Sequence, residues 1–193
     1  LRGIGFANHI ESAGSLVEDM AELRFDAQGR AVLFTGTASQ GQGHETAFRQ
    51  LLGDLLGLPF SDVRLAPSDT DAVYHGHGAF GSRSLAVISA ALVGVRDQIV
   101  AKARVLAAHL LECGEGDVDF RDGAFWVVGS DRTIGLQDVA RASHVMARLP
   151  RGFEPGLAAR HVWRPEACSY PNGSHVCEVE VDPETGEVRL VAY

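Results

Sequence analysis

Two glycine-rich segments of this chain each lead directly into a segment with helical periodicity, and this arrangement limits the folds that the chain can adopt. The first, SQGQGHET, spans 39–46, and the second, HGHGAFGSRS, spans 75–84. A helix N-terminus carries unpaired N–H groups and a partial positive charge, and glycines let a ligand approach the backbone closely. The two segments therefore favour an anionic ligand bound between two helix starts.

The pattern around these segments predicts helices and strands in irregular order. An amphipathic helix follows the first segment and ends at Gly57, with Pro59 preventing its continuation, and a longer alanine-rich helix follows the second. Hairpins are predicted over 22–36 and 117–128. Because helices and strands mix without a βαβ rhythm, the predicted class is α+β, with mixed sheets and packed helices.

The remaining predicted elements are a short helix and several strands. The helix covers 136–142, and the strands cover 62–67, 156–163, 175–182 and 187–193. The predicted apolar faces consist of Phe48, Leu51, Leu52, Leu55 and Leu56 in the first long helix and Leu85, Ile88, Leu92, Val95, Ile99, Leu106 and Leu110 in the second.

Composition excludes several classes of partner. The 193 residues carry a formal net charge of −8 with acidic and basic side chains interspersed, which argues against a nucleic-acid surface. The sequence shows no uninterrupted apolar run of membrane-spanning length and no secretory leader pattern. The three cysteines, Cys113, Cys168 and Cys177, lack metal-ligand spacing. Although a Cys168–Cys177 disulfide is conceivable, a reduced cytoplasmic protein is the simpler interpretation.

The residue types in the glycine-rich segments leave two interpretations open. Gln40 and Gln42 offer amides that suit a ligand rich in ring nitrogens and carbonyls, which indicates a heterocyclic cofactor. The spacing matches neither a Walker loop nor a dinucleotide fingerprint. The alternative is two flexible loops before capped helices. The residues His75, His77, Asp69 and Asp71 also leave two interpretations open. They could bind a transition metal, or they could make ordinary polar contacts within a loop.

The stretch from GTASQGQGHETAFRQLLGDLLG through SDTDAVYHGHGAFGSRS, together with YPNGSHVCEVEVDPETGEV, resembles the molybdenum-cofactor-binding large subunit of the xanthine dehydrogenase family. This family includes aldehyde oxidases and aerobic carbon monoxide dehydrogenases. The resemblance covers most of the chain and implies a molybdenum–molybdopterin cofactor, including its cytosine dinucleotide form. It also implies a single fragment of the molybdopterin-binding domain over 1–193, with a sub-boundary near 150–156.

The resemblance also carries site residues over to this chain. It implies that the QGQG turn lies against the pterin and that the GSRS segment binds the cofactor from another side through N–H groups and hydroxyls. The implied cofactor-binding residues are Gln40, Gly41, Gln42, Gly43, His44, Gly81, Ser82, Arg83 and Ser84. No catalytic residue and no protein ligand to a metal is assigned within 1–193.

The family's catalytic glutamate lies in a GxGE-type segment that does not occur in this sequence. The resemblance therefore implies an oxidoreductase that acts as part of a longer polypeptide. That enzyme transfers water-derived oxygen to an aldehyde, a purine-like heterocycle or carbon monoxide, with the glutamate as general base. The expected partners are the remainder of the large subunit, an iron–sulfur subunit or domain, and a FAD subunit or domain. The isolated chain is expected to be folded, inactive and free of the cofactor.

Two competing functions remain open at this point. One is a non-catalytic binding or interaction domain that uses the same fold. The other is a small metal-dependent hydrolase that uses the region around His75 and His77.

Overall fold

The computed structural model describes residues 1–14, 16–66 and 68–193, which form three sheets and three α-helices. The helices are α1 His44–Leu56, α2 Ser84–Leu110 and α3 Leu136–Ala142. The strands are β1 Arg2–Ile10, β2 Asp19–Phe25, β3 Ala31–Thr35, β4 Val63–Leu65, β5 Val118–Arg121, β6 Ala124–Val127, β7 Thr133–Gly135, β8 Ala158–Trp163, β9 Asn172–Val181 and β10 Val188–Ala192. The predicted α+β class with mixed sheets and packed helices is confirmed.

The central sheet has the strand order β4-β3-β2-β8 and carries the main core. The predicted hairpin forms β2 and β3, with Phe25 paired to Ala31 across a turn in which the Asp26 side chain accepts the N–H groups of Gln28 and Arg30. Strand β8 adds antiparallel to the other edge of β2, and β4 adds parallel to β3. The pairing buries one apolar face of the sheet against the helices.

Helix α2 crosses the central sheet and packs against β2, β8 and α1. It touches β8 at Gly94, where an added Cβ would lie 2.5 Å from the His161 ring, so the close approach requires glycine there. By length and composition α2 could also cross a membrane, although the sequence shows no uninterrupted apolar run that long. Its buried face against the sheet makes it a core helix of this fold.

Helix α1 begins and ends at glycines in the left-handed conformation. Gly43 has φ 78° and Gly57 has φ 66°, and the Gly57 N–H donates to the Gly53 carbonyl at 2.8 Å. The predicted end of this helix is therefore confirmed. The Gly57 backbone also lies against the turn between β5 and β6, where an added Cβ would meet the Gly123 nitrogen at 2.4 Å.

The sheet formed by β5, β6 and β7 contains the second predicted hairpin, which forms β5 and β6. Its turn residues Asp122 and Gly123 have φ 49° and φ 74°, the two left-handed positions that a tight antiparallel turn requires. Strand β7 was not predicted, because its three residues are too few to show alternation.

The third sheet, β1-β9-β10, brings the first strand of the chain against two of the last. Strand β1 was also not predicted, since Gly3 and Gly5 weaken the strand signal. All of its residues are exposed, including Ile4 and Phe6. The prediction that Leu85 belongs to the buried face of α2 was wrong. Leu85 is exposed because the start of that helix lies beside a cavity.

Candidate functional site

The two glycine-rich segments lie side by side and border one cavity of about 310 Å³. The first contributes Gln40, Gln42 and His44, the second contributes residues 79–84, and Ala47 and Leu85 from the helices that follow complete the lining. Each segment leads into its own helix, so the starts of α1 and α2 both border this space. The prediction that these distant parts of the sequence share a concavity is confirmed.

The first segment is shaped by hydrogen bonds between residues close in sequence. Gly41 and Gly43 have φ 100° and φ 78°, which only glycine adopts readily. The Gln42 side chain accepts the Gln40 N–H and donates to the Ala38 carbonyl at 3.3 Å. A Cβ added at Gly41 or Gly43 would meet no atom within 4 Å, so both backbones adjoin open space.

The second segment is tied to the N-terminal part of the chain. Its backbone is left-handed at Gly78, Gly81 and Ser82, with φ 85°, 55° and 51°. The Gly81 carbonyl accepts the Gly14 N–H at 3.1 Å, and the Ser82 hydroxyl donates to Glu11 at 3.3 Å. A non-glycine residue in this conformation is uncommon and is found where surrounding contacts hold it.

Arg83 connects the second segment to the core. Both it and Asp19 are fully buried, and the Arg83 Nη1 donates to the Asp19 carboxylate at 2.8 Å. The guanidinium also donates to the carbonyls of Gly78 at 2.9 Å, Val17 at 2.7 Å and Glu18 at 3.0 Å. A buried charge is tolerated when it is paired and hydrogen-bonded in this way.

A buried hydroxyl pair joins the bases of the two segments. The Thr37 and Ser84 hydroxyls lie 2.8 Å apart, and the Thr35 hydroxyl donates to the Thr37 carbonyl at 3.1 Å. The Gly36 and Gly76 backbones touch beside this pair, where a Cβ added at Gly76 would lie 2.2 Å from the Gly36 Cα. The loops that precede α1 and α2 are therefore packed against each other without intervening side chains.

His44 is buried at the first position of α1, with its ring 5.3 Å from that of Phe48. Burial lowers the pKa of His44 below its ordinary value, so the imidazole is neutral at pH 7. Among the described residues, neither its Nδ1 nor the Nε of Arg83 has a hydrogen-bond partner. Both residues border the cavity.

The structure distributes the predicted site residues between two roles. Gln40, Gln42, His44 and residues 81–84 line the cavity, whereas Gly41 and Gly43 lie between lining residues without lining it themselves. The Arg83 guanidinium bonds to Asp19, and the Ser84 hydroxyl bonds to Thr37. Asp19 and Thr37 were missed by sequence reasoning. An Asp directly before the apolar residues of a predicted strand, in EDMAELRF, was the available signal for Asp19.

His75 and His77 lie close together but do not form a ligand set. Their ring centroids are 5.3 Å apart, the His77 Nδ1 lies 3.0 Å from the Glu18 carbonyl, and the His75 Nε2 lies 3.9 Å from the Glu18 carboxylate. Within the described part of the chain, no group of three or more His, Cys, Asp or Glu side chains could hold a metal ion. The three cysteines are free thiols.

The profile of the molybdopterin cofactor-binding domain matches residues 1–193. The chain belongs to this family. It is 37% identical to the carbon monoxide dehydrogenase large chain of Hydrogenophaga pseudoflava, an alignment that covers 97% of this chain and 23% of that protein. It is 31% identical to the nicotine 6-hydroxylase large subunit of Paenarthrobacter nicotinovorans, covering 97% of this chain and 25% of that protein.

Solved structures of the family have the same fold as this domain. A reconstituted CO dehydrogenase from Oligotropha carboxidovorans superposes with a TM-score of 0.86 at 33% identity, covering 98% of this chain and 25% of that one. Quinoline 2-oxidoreductase from Pseudomonas putida 86 gives a TM-score of 0.81 at 31% identity, covering 98% of this chain and 26% of that one. The chain thus spans about a quarter of the length of these relatives.

The residues around the cavity fit a cofactor of this chemistry. Open space beside Gly41, Gly43 and Gly81 gives a planar, many-atom ligand room to approach the backbone. The amides of Gln40 and Gln42 and the unpaired nitrogen of His44 offer the directional hydrogen bonds that orient a heterocycle.

Proposed function

We propose that this chain forms one wall of the cofactor site of a molybdenum hydroxylase large subunit, an oxidoreductase. The observation that carries the proposal is the shared cavity between the QGQG and GSRS segments, bordered by two helix starts. Gln40, Gly41, Gln42, Gly43 and His44 hold one side of the cofactor, and the backbone of 81–84 holds the other.

The chain's own residues bind and orient the cofactor, which supplies the redox chemistry when bound. The helix starts favour its anionic groups, and the cytosine dinucleotide form would add a pyrophosphate to them. Neutral His44 adds no charge of its own to the cavity wall. The catalytic glutamate and the substrate pocket are expected in segments outside 1–193, and the substrate is an aldehyde, a nitrogen heterocycle or carbon monoxide.

The expected partners follow from the same proposal. The sheet β1-β9-β10 exposes Ile4, Phe6 and Ile10 on β1, and Phe6 is 72% exposed. Exposed apolar groups of this size on one strand mark a surface that contacts another protein segment. The rest of the large subunit is proposed to cover this sheet, with iron–sulfur and FAD subunits or domains completing a cytoplasmic enzyme.

The experiment compares valine substitutions at two glycines that have nearly the same positive φ. Gly43 and Gly129 have φ 78° and φ 76°, and neither has an atom within 4 Å of an added Cβ, but only Gly43 adjoins the cavity-bordering residues. In the purified full-length subunit, Gly43→Val should lower molybdenum and pterin content at least tenfold. Gly129→Val and His175→Ala should leave both near the wild-type value.

Molybdenum is measured by mass spectrometry and the pterin by fluorescence after its release, each per mole of folded protein. Wild-type protein without molybdopterin would overturn the function and favour a non-catalytic binding domain. Equal cofactor content in Gly43→Val and Gly129→Val would show that the first segment does not bind the cofactor.

A further inference from the structure

We infer that Arg83 and Asp19 are positioning residues, which fix the second glycine-rich segment in its binding conformation before any ligand arrives. The inference rests on the proposed function. It extends that function to two residues whose charged groups are buried and bonded within the protein. Arg83 is one of the residues that line the cavity, and its guanidinium makes four hydrogen bonds to Asp19, Gly78, Val17 and Glu18.

The bonds of this pair tie the second segment to the start of β2. One bond of Arg83 goes back to the Gly78 carbonyl, so the side chain closes the loop 78–83 upon itself. Two others go to consecutive carbonyls just before β2, and the Asp19 carboxylate also accepts the Met20 N–H at 2.9 Å. The loop is therefore clamped to the start of β2, an inner strand of the central sheet.

One residue of the clamped loop, Ser82, has a backbone conformation that it would rarely adopt in a free chain. Gly78, Gly81 and Ser82 all have left-handed φ values, and the loop's own backbone bond joins the Arg83 N–H to the Phe80 carbonyl at 3.2 Å. An unclamped loop of this kind must be ordered when the ligand binds, so the apparent affinity falls in proportion to the fraction of time that the loop spends in its binding conformation.

Arg83→Lys keeps one buried positive charge but replaces the planar fork with a single ammonium, which cannot span four acceptors in fixed directions. We expect at least a tenfold loss of molybdenum and pterin per folded full-length subunit. Backbone amides of 79–82 should exchange with solvent at least tenfold faster in a form of the protein from which the cofactor has been removed.

A control separates positioning from general stability. Leu106 is a fully buried core residue of α2, roughly 33 Å from Ser84 along the helix at 1.5 Å per residue. Leu106→Ala lowers the melting temperature without touching the cavity, and it should keep its cofactor and the slow exchange of 79–82.

A second variant, Arg83→Met with Asp19→Asn, removes both charges so that no unpaired charge stays buried. It should fold and still lose the cofactor. The inference is overturned if either variant retains wild-type cofactor content, or if both fail to fold, since the pair then serves global stability. If the wild-type protein lacks molybdopterin, the proposed function is wrong. The hydrogen-exchange rates of 79–82 then still decide whether the Arg83–Asp19 pair orders the loop.

Discussion

The segment 39–44 and the segment 78–84 border one cavity, but the structure holds them by different means. In the first, the hydrogen bonds of Gln42 stay within residues 38–42, and the Gly43 carbonyl accepts the Ala47 N–H at 3.0 Å. In the second, a fully buried guanidinium reaches across the fold to the start of β2. Two similar stretches of glycine and polar residues are thus anchored by different partners, local in the first and distant in the second.

This difference assigns separate tasks to the two walls of the cavity. The first wall presents the side chains of Gln40, Gln42 and His44, which can adapt to a ligand. The second presents residues 79–85, and the buried Arg83–Asp19 pair holds this wall from behind. Substitutions in the two anchors should therefore lower the free energy of unfolding by widely different amounts.

The largest expected effect is on the anchor of the second segment. Asp19→Ala leaves the Arg83 guanidinium buried and unpaired, and we expect a loss of about 3–5 kcal/mol in the free energy of unfolding. Gln42→Ala removes only exposed local bonds and should cost less than about 1 kcal/mol. Urea unfolding of the two variants measures both values. Similar losses would mean that the two segments are anchored alike.

A smaller effect is expected where the bases of the segments touch. Gly76→Ala places a Cβ 2.2 Å from the Gly36 Cα, a backbone atom that cannot yield without moving the strand. We expect a loss of roughly 1–3 kcal/mol, typical of overpacking.

The matched control for that substitution is Gly116→Ala, where an added Cβ meets nothing within 4 Å. It should be neutral or slightly stabilising, since alanine restricts the unfolded chain. Thermal unfolding of both variants in one buffer makes the comparison, and an unchanged melting temperature for Gly76→Ala would contradict the backbone contact.

The smallest expected effect is on the bond that couples the two segments. A double-mutant cycle of Thr37→Val and Ser84→Ala should give a coupling of about 1 kcal/mol, because both hydroxyls are buried and bonded to each other. The reference cycle uses Ser174→Ala and Asn8→Ala. These two side chains form an exposed hydrogen bond of 2.6 Å, for which water competes. Equal coupling in the two cycles would show that burial adds nothing to the Thr37–Ser84 bond.

Local patterns in the sequence determined much of what is found around the cavity. The apolar repeat from Phe48 to Leu56, the glycine at 57 and the Asp122–Gly123 turn act within a few residues, so their outcome does not depend on distant partners. The QGQGHET and GSRS motifs likewise identified the family, which the matched profile confirms.

The tertiary structure alone decided which polar groups border the cavity and which are hydrogen-bonded inside the fold. Arg83 and Asp19 are 64 residues apart, and Thr37 and Ser84 are 47 apart, so no spacing in the sequence marks either pair. Strand β1 likewise depends on β9, with Arg2 paired to Glu180, and its glycines conceal it until that partner is in place. The physical reason is that burial strengthens hydrogen bonds between charged and polar groups, and burial exists only after the chain has folded.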